Sequence, residues 1–201
     1  WFVSRHYEFA RGLGASVLVP SHSRYVVDQN RPPDDTSLYP GQNTTGLCPA
    51  VRFDGGPVYL AGQAPSADEV AARVERYWRP YHDALQEELA RLLAVHGRVL
   101  LWEGHSIRAV VPFLFEGRLP DLNLGTAGGA SCSAPAQARI EAVLAAQRDY
   151  SFVANGRFKG GYITRRYGRP AEGVREATVE DLCRVEGVSR KLAEQIHAAL
   201  R

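Results

Sequence analysis

Asn30 and Arg31 stand at the end of an apolar run, residues 25–28, and the prolines Pro32 and Pro33 stiffen the exit behind them. Arginine offers a planar fork that grips a carboxylate through two parallel hydrogen bonds, and asparagine adds an amide donor, so the pair is suited to an anionic substrate. The alternative is an asparagine in a turn beside a solvated arginine. A second apolar run, "RVLLWEGHS", ends in Glu103, His105 and Ser106. A neutral imidazole at such an end can ligate zinc, with Glu103 as its hydrogen-bond partner or as a proton shuttle. One histidine is not a metal site, and a hydrogen-bonded strand-end His105 is the competing reading. Further on, "NGRFKGGYITRRYG" gathers Arg157, Lys159, Arg165 and Arg166 around glycines, either a second grip for carboxylate or phosphate or a solvated basic hairpin. His6, His22, His82 and His96 are scattered without HxxE or HExxH spacing, and His82, beside Trp78 and Tyr81, reads as packed or surface structure.

The elements that must position these groups follow from periodicity. Val3, Tyr7 and Ala10 share one helical face, and Gly12 and Gly14 stop it before a short apolar strand at residues 15–20. Residues 25–28 read as a second strand, where alternation puts Asp28 and Asn30 on one side. Ser66 and Glu69 have capping-box spacing, and Val70, Val74, Tyr77, Trp78, Tyr81, Leu85, Leu89 and Leu92 recur at threes and fours, which predicts a long amphipathic helix kinked or divided at Pro80. Residues 98–106 read as a central strand. The glycines at 125, 128 and 129 suit close backbone approach or positive φ, a helix is expected over residues 135–148, and aromatic and β-branched residues beyond 150 suggest strand around a glycine-rich turn. Strands alternating with long helices predict an α/β fold, a three-layer α/β/α sandwich on a mixed sheet, with ligands beyond the strand ends.

The chain of 201 residues, with 45% hydrophobic and 23% charged residues, is long enough for one substantial core and an appendage, and disorder is not the default. Its formal net charge of +2 demands neither nucleic acid nor an anionic membrane. Cys48, Cys132 and Cys183 lack CxxC spacing and imply neither a disulfide framework nor a cysteine zinc site, so a reducing cytoplasm is the expected setting. No apolar run reaches the roughly 20 residues of a membrane span. The opening residues read as the middle of an amphipathic helix, as though the chain began inside a domain.

In order, "SRYVVDQNRPPDDTSLYPGQNTTGLCP", "WRPYHDAL", "LLWEGHSIRAVVPFLFEGRLPDLNLGT" and "NGRFKGGYITRRYGRPAEGV" resemble the N-formylglutamate deformylase (N-formylglutamate amidohydrolase) family, over residues 1–174. The resemblance implies a zinc hydrolase on a zinc carboxypeptidase-like sandwich that cuts N-formyl-L-glutamate into formate and L-glutamate in histidine degradation. It implies that Asn30 and Arg31 bind the substrate's carboxylate, that His105 is a zinc ligand, that Arg157 and Arg165 steer or hold the second carboxylate, and that residues 37–48 wall the pocket. Glu103 is the candidate catalytic carboxylate. The sequence departs from the family in three places. Relatives carry an upstream segment with a histidine followed by an acidic ligand, and the sequence is expected to begin after its place, so those two ligands are not visible in it. The continuation with the general-base glutamate is replaced by "REATVEDLCRVEGVSRKL", where Glu176 has no matching context. Arg166 stands where relatives often carry histidine. An inactive, truncated domain is therefore expected as readily as an active one.

Residues 175–201 resemble a helix-hairpin-helix module like that of excision-repair endonucleases, with Thr178 and Ser189 as N-caps. The resemblance implies phosphate contacts at Gly187, Val188 and Ser189, with Arg190 and Lys191 nearby, and hence weak, non-specific DNA binding. The other readings are a helical hairpin packed on the main domain and an artificial join near Val174. A non-enzymatic DNA-binding chain is the alternative to the amidohydrolase.

Overall fold

The computed structural model describes residues 3–169. The expected N-terminal helix forms as two single turns, α1 (Val3–His6) and α2 (Phe9–Gly12); neither buries a residue, and α2 has no side-chain cap. The longest helical run obeys its sequence signals closely. Ser66 Oγ accepts the Glu69 N–H and starts α3 (Ala67–Arg73). A π-helical turn, Val74–Trp78, then leads into α4 (Arg79–His96), which carries Pro80 in its first turn and ends on Gly97 in the left-handed region. Proline lacks an amide donor and crowds the preceding turn, so the division predicted at Pro80 takes the form of a widened turn just before it.

The fold is α/β, as expected, and the described residues hold one two-stranded parallel sheet rather than a larger mixed one. In it β1 (Leu122–Leu124) pairs with β2 (Phe152–Ala154), and α5 (Ala134–Ala146), capped by Ser133, makes the crossover that parallel strands require. Residues 15–20, 25–28 and 98–106, expected as strands, are extended or turn-like and join no ladder. Apolar runs become strands only when another strand pairs with them in a ladder, and among the described residues none pairs with these. Leu100 is accordingly 76% and Trp102 53% exposed. Residues 162–167 are a second departure: the aromatic, β-branched run expected as strand is a helix, α6 (Tyr162–Tyr167). Tertiary hydrogen bonds from Asn30 to its first N–H groups override the local β preference.

The core lies between the helical run and the loop after residue 25. Val27, Leu47, Val74 and Trp78 are buried together, with Cys48, Val70, Tyr77 and Tyr162 packed against them. Trp78 stacks on His82 at 3.8 Å between ring centroids and donates from Nε1 to the Arg31 carbonyl at 2.9 Å. His82, 3% exposed, is packed structure as its aromatic neighbours suggest. A carbonyl only accepts, so His82 Nε2–H donates to Gln29 O while Nδ1 accepts from the Tyr167 hydroxyl, each at 2.9 Å. Burial lowers its pKa against the pull of the Gln29 carbonyl and of Glu103, which favours this neutral form. No helix among the described residues is long and apolar enough to cross a membrane.

Candidate functional site

Residues 28–31 form a turn rather than a strand end. Asp28 is buried, donates its N–H to Leu47 O at 2.7 Å, and accepts the Asn30 N–H through Oδ1 at 3.0 Å. Its other carboxylate oxygen takes the Arg24 guanidinium, which also reaches Thr45 Oγ1. This Asx-type turn aims Asn30 at α6, where Asn30 O accepts the Tyr162 N–H and Oδ1 accepts the Ile163 N–H at 2.9 Å. The amide lies flat on Gly161, where any Cβ would overlap it. Asn30 therefore caps α6 while its Nδ2 faces His105 Nε2 at 3.2 Å.

Glu103 and His105, two apart on an extended segment, reach the same place. Glu103 Oε1 lies 2.6 Å from His105 Nε2, and Glu103 Oε2 accepts from Thr164 Oγ1 at 3.0 Å. One ring nitrogen cannot donate and accept at once. The shorter, charge-assisted contact sets the tautomer: Nε2–H donates to Glu103, and Nδ1 is left without a hydrogen-bond partner among the described residues. Desolvation lowers the His105 pKa, but the hydrogen bond and charge of Glu103, helped by Asp28, outweigh it and raise the value overall. Sequence reasoning thus named Asn30, Glu103 and His105, which the fold brings into contact. It missed Thr164, whose role depends on α6 being a helix.

The arginines gather around Tyr39. Its hydroxyl donates to Gly160 O at 2.7 Å and accepts the Lys159 N–H, which fixes the loop leading into α6. Arg165 sits 5.0 Å over the Tyr39 ring and donates Nε–H to Gly160 O. Arg157 lies 5.8 Å over the same ring and spends Nη2 on the carbonyls of Asn43 and Leu114, tying three loops together. Gly125 lets the end of β1 approach this loop, since a Cβ there would lie 2.7 Å from Gly160 N. The loop follows the carboxyl end of β2, where α/β sheets place ligands.

Arg31 differs from the other arginines. Burial lowers its pKa, Asp28 raises it, Arg24 lowers it, and Asp35 and Tyr39 raise it. Its guanidinium makes no hydrogen bond or ion pair to any described residue. A half-buried fork with no fixed partner is ready for an incoming carboxylate. Two clefts on the described surface lie away from this cluster: one of about 450 Å³ lined by Phe53, Asp54, Arg108, Val110, Pro112 and Phe113, the other of about 230 Å³ reaching from Leu18 to Tyr81.

For a metal, His105 Nδ1 supplies one ligand nitrogen, but no group of three or more His, Cys, Asp or Glu that could hold an ion occurs among the described residues. Structural zinc sites take four protein ligands and catalytic ones three, so these residues fit part of a zinc site and not a whole one. Glu176 and the tail residues Gly187, Val188, Ser189, Arg190 and Lys191 lie outside the described residues.

A family model described as N-formylglutamate amidohydrolase matches residues 1–181, and one described as helix-hairpin-helix motif matches residues 171–199. N-formylglutamate deformylase of Pseudomonas aeruginosa is 56% identical over 180 residues, which cover 90% of this chain and 67% of that protein. Its counterpart in Pseudomonas putida is 51% identical over the same shares. UvrABC system protein C of Aromatoleum aromaticum is 76% identical over 29 residues, 14% of this chain and 5% of that protein. The crystal structure of N-formylglutamate amidohydrolase from Ralstonia eutropha shares the fold at a TM-score of 0.60 and 24% identity, covering 88% of this chain and 72% of that one.

Proposed function

Because the chain belongs to the N-formylglutamate amidohydrolase family, a family of hydrolases, we propose that it hydrolyses N-formyl-L-glutamate to formate and L-glutamate, in histidine degradation. The supporting observation within the molecule is Arg31, half-buried and without a fixed partner among the described residues, one residue from the Asn30 that lies against His105. In this reading Arg31 and Asn30 hold one carboxylate, Arg165 takes the other, and Arg157 steers it while bracing the loop. Hydrolysis adds hydroxide to the formyl carbon and a proton to the departing amine nitrogen. Glu103, hydrogen-bonded to both His105 and Thr164, is the carboxylate placed to carry that proton. Zinc is proposed with His105 as one ligand, and a complete site needs ligands beyond the described residues. The zinc carboxypeptidase-like sandwich belongs to the same proposal, as does a cytoplasmic setting, which suits the free thiols of Cys48 and Cys132.

The test is formate release by the purified chain supplied with zinc. N-formyl-L-glutamate is expected to be cleaved well ahead of N-formyl-L-alanine, which lacks the second carboxylate. No release from the glutamate compound, or equal rates on both, would remove the reading.

The 29-residue likeness to UvrABC system protein C favours a second role, weak contact of residues 175–201 with DNA phosphates. Binding to random-sequence duplex that weakens steeply with added salt is expected. No binding at low salt would overturn it.

A further inference from the structure

Glu103 is held on both of its oxygens. Oε1 takes His105 Nε2–H at 2.6 Å and Oε2 takes the Thr164 hydroxyl at 3.0 Å. Thr164 follows directly on Ile163, whose N–H is bound by Asn30, and Asn30 in turn faces His105. The hydrogen bonds therefore run in series from His105 to Glu103 and from Thr164 to Glu103, and along α6 to Asn30, whose amide lies against His105 without bonding it. The two contacts fix the carboxylate's rotation as well as its position, because a carboxylate bound at one oxygen still turns about its last bond. Thr164 itself has little freedom. It is half-buried, and its γ-methyl group packs so closely on Gly160 that a Cβ there would lie 2.8 Å away.

We infer that Thr164 is a positioning residue for the reaction, one that holds the Glu103 carboxylate in its orientation toward His105. The inference rests on the amidohydrolase reading for its kinetic half and on the geometry alone for its structural half. Thr164→Val keeps the shape and removes the hydroxyl. Its kcat is expected to fall roughly 10- to 100-fold, the usual effect of removing a hydrogen-bond partner behind an active group, with KM changed less than about threefold. Thr164→Ser, which keeps the hydroxyl, is expected to recover most of the loss. A residue that merely supports the fold would not divide Val from Ser in kcat alone.

The second measurement needs no turnover. Urea unfolding of Thr164→Val, Glu103→Ala and the double variant forms a cycle, and the double variant is expected to be destabilised by less than the sum of the single shifts. Additive shifts would overturn the contact, and a kcat for Thr164→Val within about twofold of the unmutated chain would overturn the positioning role. Were the unmutated chain to release no formate, the amidohydrolase reading and the kinetic role would fall together, while the cycle would still decide whether Thr164 holds Glu103.

Discussion

Replacing His105 with alanine is expected to cut formate release from N-formyl-L-glutamate by about 10²- to 10⁴-fold, because it removes a proposed zinc ligand together with the hydrogen-bond partner of Glu103, and loss of positioned proton transfer at Glu103 falls in that range. Its resistance to urea should stay within about 0.5 kcal/mol of the unmutated chain, as for other exposed substitutions. The two halves of this expectation have one cause. The His105 side chain is 59% exposed and contributes no core packing, so its contacts with Glu103 and Asn30 serve the site rather than the fold. Glu103 keeps Thr164 and Asn30 keeps Ile163 when the ring is gone, so neither partner is left orphaned in a dry interior. His22 is the control, an exposed histidine hydrogen-bonded to Ser21 and remote in role, and His22→Ala should leave the rate within about twofold. Steady-state kinetics with matched zinc and a urea titration of each variant read both quantities. A His105→Ala rate within threefold of the unmutated chain would remove His105 from the chemistry. A large loss of stability would mean that its role is structural.

What could be read from the sequence, and what could not, divides by how local the cause is. Ser66, Pro80 and Gly97 act on their own neighbours, and the helical run they delimit appears where spacing puts it. Asn30, Glu103 and His105 were found because polar residues that end apolar runs stand out without any knowledge of partners, and the fold joins all three. Helix α6 was missed because its cause lies more than a hundred residues away in the chain, in the carbonyl and amide oxygens of Asn30. Thr164 and Tyr39 went unnoticed for the same reason, since a hydroxyl in a run of strand formers gives no sign that it will meet Glu103, nor a loop tyrosine that it will lie beneath Arg157 and Arg165. Residues 98–106 carry the composition of a central strand, but composition cannot supply the neighbouring strand that makes one. Arg31 was selected for its fork, and only the structure reveals that this fork is half-buried yet lacks a fixed partner among the described residues.

Trp78→Ala is expected to cost about 3–5 kcal/mol of stability, the usual range for emptying a buried tryptophan, out of a total that for domains lies near 5–15 kcal/mol. The indole is 7% exposed and packs with Val27, Leu47 and Val74 in the core. The same ring ties the core to the site. Nε1–H holds the Arg31 carbonyl, and the ring face stacks on His82, which in turn donates to the Gln29 carbonyl. Two consecutive supports of the 28–31 turn therefore depend on one side chain. Trp78→Phe largely separates them, because it keeps an aromatic face for His82 while removing the donor to Arg31 and only part of the buried ring. It should cost less than the alanine variant, with about 1 kcal/mol assignable to the lost hydrogen bond. Urea unfolding followed by far-ultraviolet circular dichroism, beside formate release at temperatures well below the midpoint, distinguishes the outcomes. If the core merely supplies bulk, Trp78→Phe will match the unmutated rate. If it also aims the turn, Trp78→Phe will raise KM, since a carboxylate held by Arg31 and Asn30 senses any slackening of the backbone between them. An alanine variant destabilised by less than about 1 kcal/mol would mean that the ring is not the keystone of this core, and the link from core to site would then have to be sought through Val27 and Leu47 instead.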